Sequence, residues 1–194
     1  AVLIPRPETE LLVEASLHIL KDVERPLIVD VGTGSGCIAL SLAAERLDAD
    51  VCAIDISGPA LEVARENARR IGLEGRVAFH HGDLLEPVAH FAGRIDLVVS
   101  NPPYVDPTER ASLAPEVRDH EPTLALFPPG DPLSMYRRLA GVSASDLRPG
   151  GWLVVELGHG QAASVEALCR THGLVPAGLH RDLAGIPRAL TVRR

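Results

Sequence analysis

The sequence predicts a single α/β domain whose core is a mostly parallel sheet covered by helices on both faces. Continuous apolar runs recur along the chain, and stretches with apolar residues at helical spacing separate most of them. Strands that are buried on both faces have such continuous runs, which are typical of parallel sheets. A length of 194 residues and a hydrophobic fraction of 46% suit one domain with a substantial core.

The charge distribution argues against a protein that binds nucleic acid through a basic face. The formal net charge is −7, from 19 basic and 26 acidic residues, and adjacent basic residues form isolated pairs at Arg69-Arg70, Arg137-Arg138 and Arg193-Arg194. Non-specific affinity for nucleic acid needs a positive surface that displaces counterions. A small basic patch assembled by folding is left open.

Neither a membrane segment nor a metal site is expected. The apolar runs are too short to span a bilayer and no signal peptide pattern is present, so we expect a cytoplasmic protein. Cys37, Cys52 and Cys169 form no CxxC pair and are expected to be small core residues in a reducing compartment. The pair His80-His81 has no further His or Cys at ligand spacing.

The first predicted helix follows a proline-containing entry. Residues Leu11 to Leu20 have apolar side chains near helical spacing, and Pro7 followed by acidic residues suits a first helical turn. Arg6 and Thr9 belong to this entry, and we expect both at the rim of a site.

A strand, a glycine-rich turn and a helix follow. The apolar run Leu27–Val31 leads into Gly32-Thr33-Gly34-Ser35-Gly36, and a helix is predicted from Cys37 to Arg46. Glycines let a ligand approach the backbone, and the helix N-terminus supplies N–H donors. The spacing is neither the GxGxxG of dinucleotide-binding proteins nor a phosphate-binding GK[ST] loop. Because Asp30 precedes the turn, a cationic or zwitterionic ligand is favoured over a phosphate.

Acidic residues also end the next two predicted strands. Asp55 ends the strand Val51–Asp55, where a carboxylate can accept hydrogen bonds from ribose hydroxyls. A helix begins at Ser57 or Gly58 and ends before Gly72. Asp83 follows the predicted strand Arg76–His81, where it can accept a hydrogen bond from an exocyclic amine such as that of adenine. Asp is common in turns and caps, but three acids at successive strand ends favour a ligand site.

The fourth strand, Ile95–Ser100, ends in Asn101-Pro102-Pro103-Tyr104. Two successive prolines restrict the backbone, and both keep a carbonyl oxygen that can accept a hydrogen bond. This segment alone would predict a stiff turn. In open α/β sheets, however, ligands bind beyond the carboxyl ends of strands where the strand order reverses. We therefore expect Asn101 to lie close to the glycine turn.

The second half of the chain contains a long connection followed by the remaining sheet. Val105–Pro132 has no predicted secondary structure, and segments of this kind often act as lids or binding loops. Because no helix separates the last two strands, they are predicted to form a hairpin that places an antiparallel strand inside the sheet. The remaining elements are predicted at Pro132–Leu147, Trp152–Glu156, Gln161–His172, Leu174–Leu179 and, as a turn with a final strand, Arg181–Val192.

Two of these motifs resemble those of a known enzyme class. Asp30–Gly36 resembles the S-adenosylmethionine-binding motif of class I methyltransferases, and Asn101–Tyr104 resembles the signature of those that methylate a planar amine or amide nitrogen. That signature is shared with adenine DNA methyltransferases and some RNA guanine methyltransferases. Ile4–Glu10, His120-Glu121-Pro122 and Arg181–Arg188 are similar to segments of the release-factor glutamine methyltransferases (the HemK/PrmC family), and the resemblance covers essentially the whole chain.

The resemblance implies a fold, a cofactor and a domain. The fold is the Rossmann-like class I methyltransferase fold, a seven-stranded, mostly parallel sheet with the last strand antiparallel. Residues 1–194 would form the catalytic domain, without the helical N-terminal domain that binds the release factor. S-adenosylmethionine would be the cofactor and S-adenosylhomocysteine its product. The cofactor-binding residues implied are Asp30, Gly32, Thr33, Gly34, Gly36, Asp55, Ile56, Asp83, Leu84 and Asn101.

It also implies a reaction, the methylation of the side-chain amide of the glutamine in the Gly-Gly-Gln motif of peptide chain release factors. Release factors would be the partners of a monomeric protein that does not bind nucleic acid directly. Asn101, Pro102 and Tyr104 are expected to be catalytic. The expected substrate-binding residues are Asn101, Pro102, Pro103, Tyr104, Arg6, Thr9 and Glu121.

Two other functions are left open. A nucleic-acid amine methyltransferase would share Asn101–Tyr104 but would need a basic groove, which the charge of −7 does not favour. A non-catalytic S-adenosylmethionine-binding subunit would not need Asn101. Salt-dependent binding of DNA or RNA would indicate the first, and methyl transfer that fails without Asn101 would exclude the second.

Overall fold

The apolar runs form the strands of one seven-stranded sheet in a computed structural model that describes Val2 and residues 9–194. The strands are β1 (Leu27–Val31), β2 (Asp50–Asp55), β3 (Val77–His81), β4 (Ile95–Ser100), β5 (Leu147–Glu156), β6 (Val175–Arg181) and β7 (Pro187–Arg193). Their order in the sheet is β3-β2-β1-β4-β5-β7-β6. The first five strands pair in parallel, and β7 runs antiparallel between β5 and β6, as predicted.

Helices connect most of the parallel strands. In the part of the chain that the structure describes, no helix is both long and apolar enough to cross a membrane. The 3₁₀ helices Glu86–Phe91 and Pro107–Ser112 add to the α-helices. The α-helices are α1 (Glu10–Leu20), α2 (Cys37–Glu45), α3 (Gly58–Arg70), α4 (Pro115–His120), α5 (Thr123–Leu126), α6 (Ser134–Asp146) and α7 (Ala162–Thr171).

Each face of the sheet has its own hydrophobic core. Because side chains alternate along a strand, Ile28 and Val29 of β1 point into different cores. Buried residues of α1 and α2 complete the core that contains Ile28, and those of α6 and α7 complete the core that contains Val29. The sheet is therefore covered on both faces, which explains why its central strands are continuous apolar runs.

The order of the strands reverses between β1 and β4. β1 pairs with β2 on one side and with β4 on the other, and Val31 is the register partner of Ser100. The glycine turn and Asn101 therefore leave the same edge of the sheet from adjacent strands, as the sequence predicted.

Two expectations about secondary structure were wrong. The connection Val105–Pro132 is not without structure, since it contains the second 3₁₀ helix together with α4 and α5. Strand β5 begins at Leu147 rather than Trp152, because Leu147 pairs with Ile95 and the register then shifts before Leu97 pairs with Trp152. Gly151 lies in this irregular part, where a Cβ would come within 2.9 Å of the carbonyl oxygen of Ile95. The close approach of the two backbones thus requires glycine.

Candidate functional site

A cavity of about 210 Å³ opens at the carboxyl ends of β1, β2 and β4. Its wall includes the turn that follows β1, the residues that end β2, and the residues that follow β3 and β4. Ligands of open α/β sheets bind at this position in the fold.

The glycine turn is attached to the end of β2. The backbone N–H groups of Gly32 and Thr33 both donate to the Ile54 carbonyl at 2.9 Å, and the Gly34 N–H donates to Asp55 Oδ2 at 2.8 Å. A Cβ added at Gly32 or Gly34 would have no atom within 4 Å, and both residues line the cavity. A ligand can therefore approach this backbone closely.

Gly36 has a different position from the other glycines of the turn. It precedes α2 with a φ of +83° and packs against α3, where an added Cβ would lie 3.1 Å from the Cβ of Ala64. It is absent from the cavity wall. Its contribution to ligand binding is therefore indirect, since it allows the turn and α2 to pack against α3.

Asp30 lies beneath the glycine turn and is fully buried. Its Oδ2 accepts hydrogen bonds from Thr33 Oγ1 at 2.6 Å and from the Ala39 N–H at 3.1 Å. Within the described part of the chain, its Oδ1 has no hydrogen-bond partner. Burial disfavours the charged carboxylate and raises its pKa to about 7.

The raised pKa of Asp30 predicts a pH dependence that Asp30→Asn should remove. The native pKa lies above the value of 3.8 for an unperturbed Asp, so the native state binds the proton more tightly than the unfolded state. The associated stability is fully present below the unfolded pKa and is lost as the pH rises through about 7. Relative to Asp30→Asn, the wild-type free energy of unfolding should fall by about 3 kcal/mol between about pH 5 and about pH 8.

Urea unfolding of both proteins across this pH range, without ligand, measures the difference. The asparagine keeps an oxygen that can accept from Thr33 and Ala39, which makes it the matched variant. Parallel stability curves for the two proteins would contradict the assignment of the titration to Asp30.

Asp55 and Asp83 both line the cavity but have different partners. Asp55 Oδ1 accepts from the Ser57 N–H at 2.8 Å while its Oδ2 accepts from Gly34, so this carboxylate joins the glycine turn to the start of α3. Asp83 instead accepts a 2.5 Å hydrogen bond from Arg138 Nη2 of α6, and Arg138 also lines the cavity. Ile56 and Leu84, which follow the two strand ends, complete this side of the wall.

The segment that follows β4 forms another part of the wall. Asn101, Pro102 and Pro103 line the cavity. The preceding residue, Ser100, is buried, and its Oγ donates to the Val31 carbonyl at 2.8 Å. This bond joins the end of β4 to the residue before the glycine turn, so Asn101 is held beside that turn.

Tyr104 is not part of the cavity wall, although Pro103 before it is. It is half-buried, and its OH donates to Glu156 Oε1 at 3.2 Å. Its carbonyl oxygen accepts a 3.0 Å hydrogen bond from Gln161 Nε2.

The remaining expected substrate residues have different positions relative to the cavity. Thr9 is buried, lines the cavity and donates to Glu156 Oε2 at 3.2 Å. Glu121 is half-buried and is not part of the wall, although the next residue, Pro122, is. Arg6 lies outside the described residues.

Several residues of the site had no role assigned from the sequence, among them Ser100, Arg138 and Glu156. Ser100 and Glu156 are the polar last residues of apolar strands, as Asp55 is, and this shared position is the signal that could have identified them. Arg138 lies on a helix, and its pairing with Asp83 has no local signal in the sequence.

The site therefore combines backbone donors and carboxylates with amide and carbonyl oxygens. Such a set can bind a ligand that carries hydroxyl and amine groups, and can present acceptors to a planar –NH₂ group. Among the described residues, no group of three or more His, Cys, Asp or Glu side chains is placed to hold a metal ion.

The sequence is similar to curated methyltransferases. A family model described as "Methyltransferase small domain" matches residues 8–117. Proteins named release factor glutamine methyltransferase from Rhodospirillum rubrum, Clostridium acetobutylicum and Xylella fastidiosa are 46%, 39% and 45% identical to it over 190, 193 and 194 residues. These alignments cover 98%, 100% and 100% of this chain, which spans 57%, 68% and 69% of the length of the respective relatives.

Solved methyltransferase structures share the fold. The catalytic domain of hMettl16 superimposes with a TM-score of 0.75 at 18% identity, covering 98% of this chain and 72% of that one. An RNA methyltransferase from Salinibacter ruber, solved in complex with S-adenosyl-L-homocysteine, gives a TM-score of 0.61 at 20% identity, with 98% and 93% covered. At such identities the likeness shows the fold alone, and the predicted class I methyltransferase fold is confirmed.

Proposed function

Since this chain belongs to the family of the release factor glutamine methyltransferases, we propose that it transfers a methyl group from S-adenosylmethionine to a glutamine side-chain amide of a peptide chain release factor. The target is the glutamine of the Gly-Gly-Gln motif. Residues 1–194 act as the catalytic domain in this proposal, and release factors are its protein partners.

The observation that carries the proposal is the position of Asn101. Its amide and the two following prolines line the same cavity as the glycine turn, and the Ser100–Val31 hydrogen bond joins the two segments. An acceptor for a substrate amide therefore lies in the same cavity as a site suited to a nucleoside-containing ligand.

The residues around the cavity suit S-adenosylmethionine as that ligand. Gly32 and Gly34 leave open space where a Cβ would otherwise project, and Asp55 and Asp83 offer carboxylate oxygens to hydroxyl and amine donors. The carboxylates of Asp55 and Asp83 in the wall also favour a cationic ligand over a phosphate. When bound, S-adenosylmethionine supplies a methyl group that is activated by the sulfonium charge.

The residues of the chain act on the substrate amide by holding it. An amide nitrogen is a weak nucleophile because its lone pair is delocalised into the carbonyl group. Asn101 Oδ1 and the Pro102 carbonyl oxygen each accept one N–H of the substrate, which directs the nitrogen lone pair into the cavity. Positioning of this kind can supply roughly 7–11 kcal/mol of the barrier reduction. The nitrogen loses a proton readily once methylated, so the site needs no strong general base.

The roles of the flanking residues follow from their positions. Thr9 and Pro103 line the substrate side of the cavity, while Tyr104 supports that side from outside the wall. Because their segments are similar to those of the family, we also expect Glu121 and Arg6 to contact the protein substrate.

Mass analysis of a release-factor domain incubated with this protein and S-adenosylmethionine tests the function. We expect one methyl group on the glutamine of the Gly-Gly-Gln loop. The same domain with that glutamine replaced by glutamate is the matched control, since it lacks the amide nitrogen and should gain no methyl group.

Two results would contradict the proposal. A methyl group on any other residue would overturn the substrate assignment. Methylation of DNA or RNA amines with no transfer to the domain, together with salt-dependent nucleic-acid binding, would establish a nucleic-acid methyltransferase instead.

A further inference from the structure

A buried carboxylate joins two segments at the substrate side of the cavity. Glu156 is the last residue of β5 and is 3% exposed. Its Oε1 accepts from the Tyr104 OH and its Oε2 accepts from Thr9 Oγ1, both at 3.2 Å. Because Val155 is the register partner of Ser100, Glu156 lies beside the start of the Asn101 segment.

The backbone around this carboxylate is itself held by the core. Tyr136, which is 2% exposed, donates from its OH to the Glu156 carbonyl at 2.9 Å. The same hydroxyl oxygen accepts a 3.2 Å hydrogen bond from the Gly158 N–H. The Leu157 N–H donates to the Arg188 carbonyl of β7 at 2.8 Å. The position of Glu156 is therefore set by packed elements on both sides of β5.

Several contacts with described residues hold Tyr104 in place. Glu156 accepts from its hydroxyl, Gln161 donates to its carbonyl, and its ring lies against Gly158. A Cβ at Gly158 would come within 2.9 Å of Tyr104 Cδ2 and 2.5 Å of Gln161 Oε1, so the close packing of this ring depends on glycine. The residue that follows Pro102 and Pro103 is thus fixed from outside the cavity wall.

We propose that Glu156 is a positioning residue for methyl transfer. Its carboxylate holds Tyr104 and Thr9 in place. These contacts keep Asn101 and Pro102 in the arrangement that binds the substrate amide. This inference rests on the proposed function. Small displacements of acceptors that direct a reacting lone pair cost much of the rate, so their support is a functional requirement. A side chain needed only for packing would be apolar, because burying a carboxylate is unfavourable unless hydrogen bonds compensate it.

The proposal is tested by steady-state kinetics on the release-factor domain with donor affinity measured separately by calorimetry. Tyr104→Phe removes only the hydroxyl and should lower kcat/KM by about tenfold, the equivalent of one hydrogen bond. Glu156→Ala should lower it by about a hundredfold, and Glu156→Gln, which keeps an acceptor oxygen, should restore part of the loss. Donor affinity should stay close to that of the wild type in all three variants.

Two further variants separate positioning from folding. Gly158→Ala leaves the carboxylate in place but displaces Tyr104 and Gln161, so kcat/KM should fall even if Glu156→Ala does not fold. Glu166→Ala removes a carboxylate that forms an exposed ion pair with Arg170 within α7, and it should have wild-type kinetics.

In the Glu156→Ala background, Tyr104→Phe should have little additional effect on kcat/KM, because both substitutions remove the same contact.

Several outcomes would overturn the inference. One is a folded Glu156→Ala variant with wild-type kcat/KM. Another is a donor affinity that falls in parallel with the rate of transfer. A third is that the effects of Tyr104→Phe and Glu156→Ala on kcat/KM are additive. A wild-type protein that transfers no methyl group to the domain would refute the proposed function instead. The coupling between Tyr104 and Glu156 in the free energy of unfolding, measured without substrate, tests the contact separately, and zero coupling would reject the inference whatever the function.

Discussion

Replacing Asn101 by alanine is expected to lower the rate of methyl transfer by about a thousandfold, the upper range for loss of one positioned polar group. The substitution removes the side-chain oxygen that we assign to a substrate N–H, and the remaining Pro102 carbonyl cannot direct the lone pair alone. The cavity wall that contacts the donor is otherwise unchanged, so calorimetry should give a donor affinity close to that of the wild type. Single-turnover rates with saturating donor measure the chemical step directly.

Asn67, the only other asparagine of the chain, provides the matched control. Its Nδ2 donates to the Ser35 carbonyl of the glycine turn at 2.9 Å. Asn67→Ala should therefore weaken donor binding while leaving the single-turnover rate at saturation nearly intact. If Asn101→Ala retained wild-type transfer, or lost transfer only in proportion to donor affinity, the mechanism would be wrong.

Replacing Gly36 by alanine is expected to lower the free energy of unfolding by about 3 kcal/mol. Its φ of +83° is unfavourable for any residue with a Cβ, and the added atom would lie 3.1 Å from Ala64 and 3.2 Å from Leu40. The neighbours are a backbone-proximal Cβ and a core side chain, so the turn must shift away from α3. Donor affinity should fall as well, because the shift displaces the turn that lines the cavity.

Gly72→Ala is the control for backbone strain alone. Gly72 has a φ of +73° after α3, and an added Cβ would meet no atom within 4 Å. It should cost about 1 kcal/mol in urea unfolding and leave donor affinity unchanged. If the two variants lost the same free energy of unfolding, the contact between Gly36 and α3 would make no contribution to the loss.

The central strands were predictable because their signals are local. The bounds of β1 and β4 are those expected from apolar runs that end in turn residues. The approach of Asn101 to the glycine turn was predictable as well, because the carboxyl ends of neighbouring parallel strands meet at one edge of the sheet.

The connection Val105–Pro132 shows where local patterns are insufficient. Its helical segments have 6, 6 and 4 residues. Segments of that length contain too few turns for a helical period to appear, and isolated helices so short are not stable by propensity alone. They form here in the context of the folded domain, where Leu126 is buried and its carbonyl oxygen accepts from the Val105 N–H.

Turn chemistry and apolar periodicity, which are properties of neighbouring residues, therefore specified the sheet, the glycine turn and the stiff corner at Asn101. The contacts that hold this corner were decided by tertiary structure. Glu156 receives hydrogen bonds from Thr9, 147 positions away, and from Tyr104, 52 positions away, and Arg138 reaches Asp83 across 55 positions. Such pairs depend on strand register and helix packing. The presence of a hydrogen-bonding side chain in the sequence does not indicate which distant residue will be its partner.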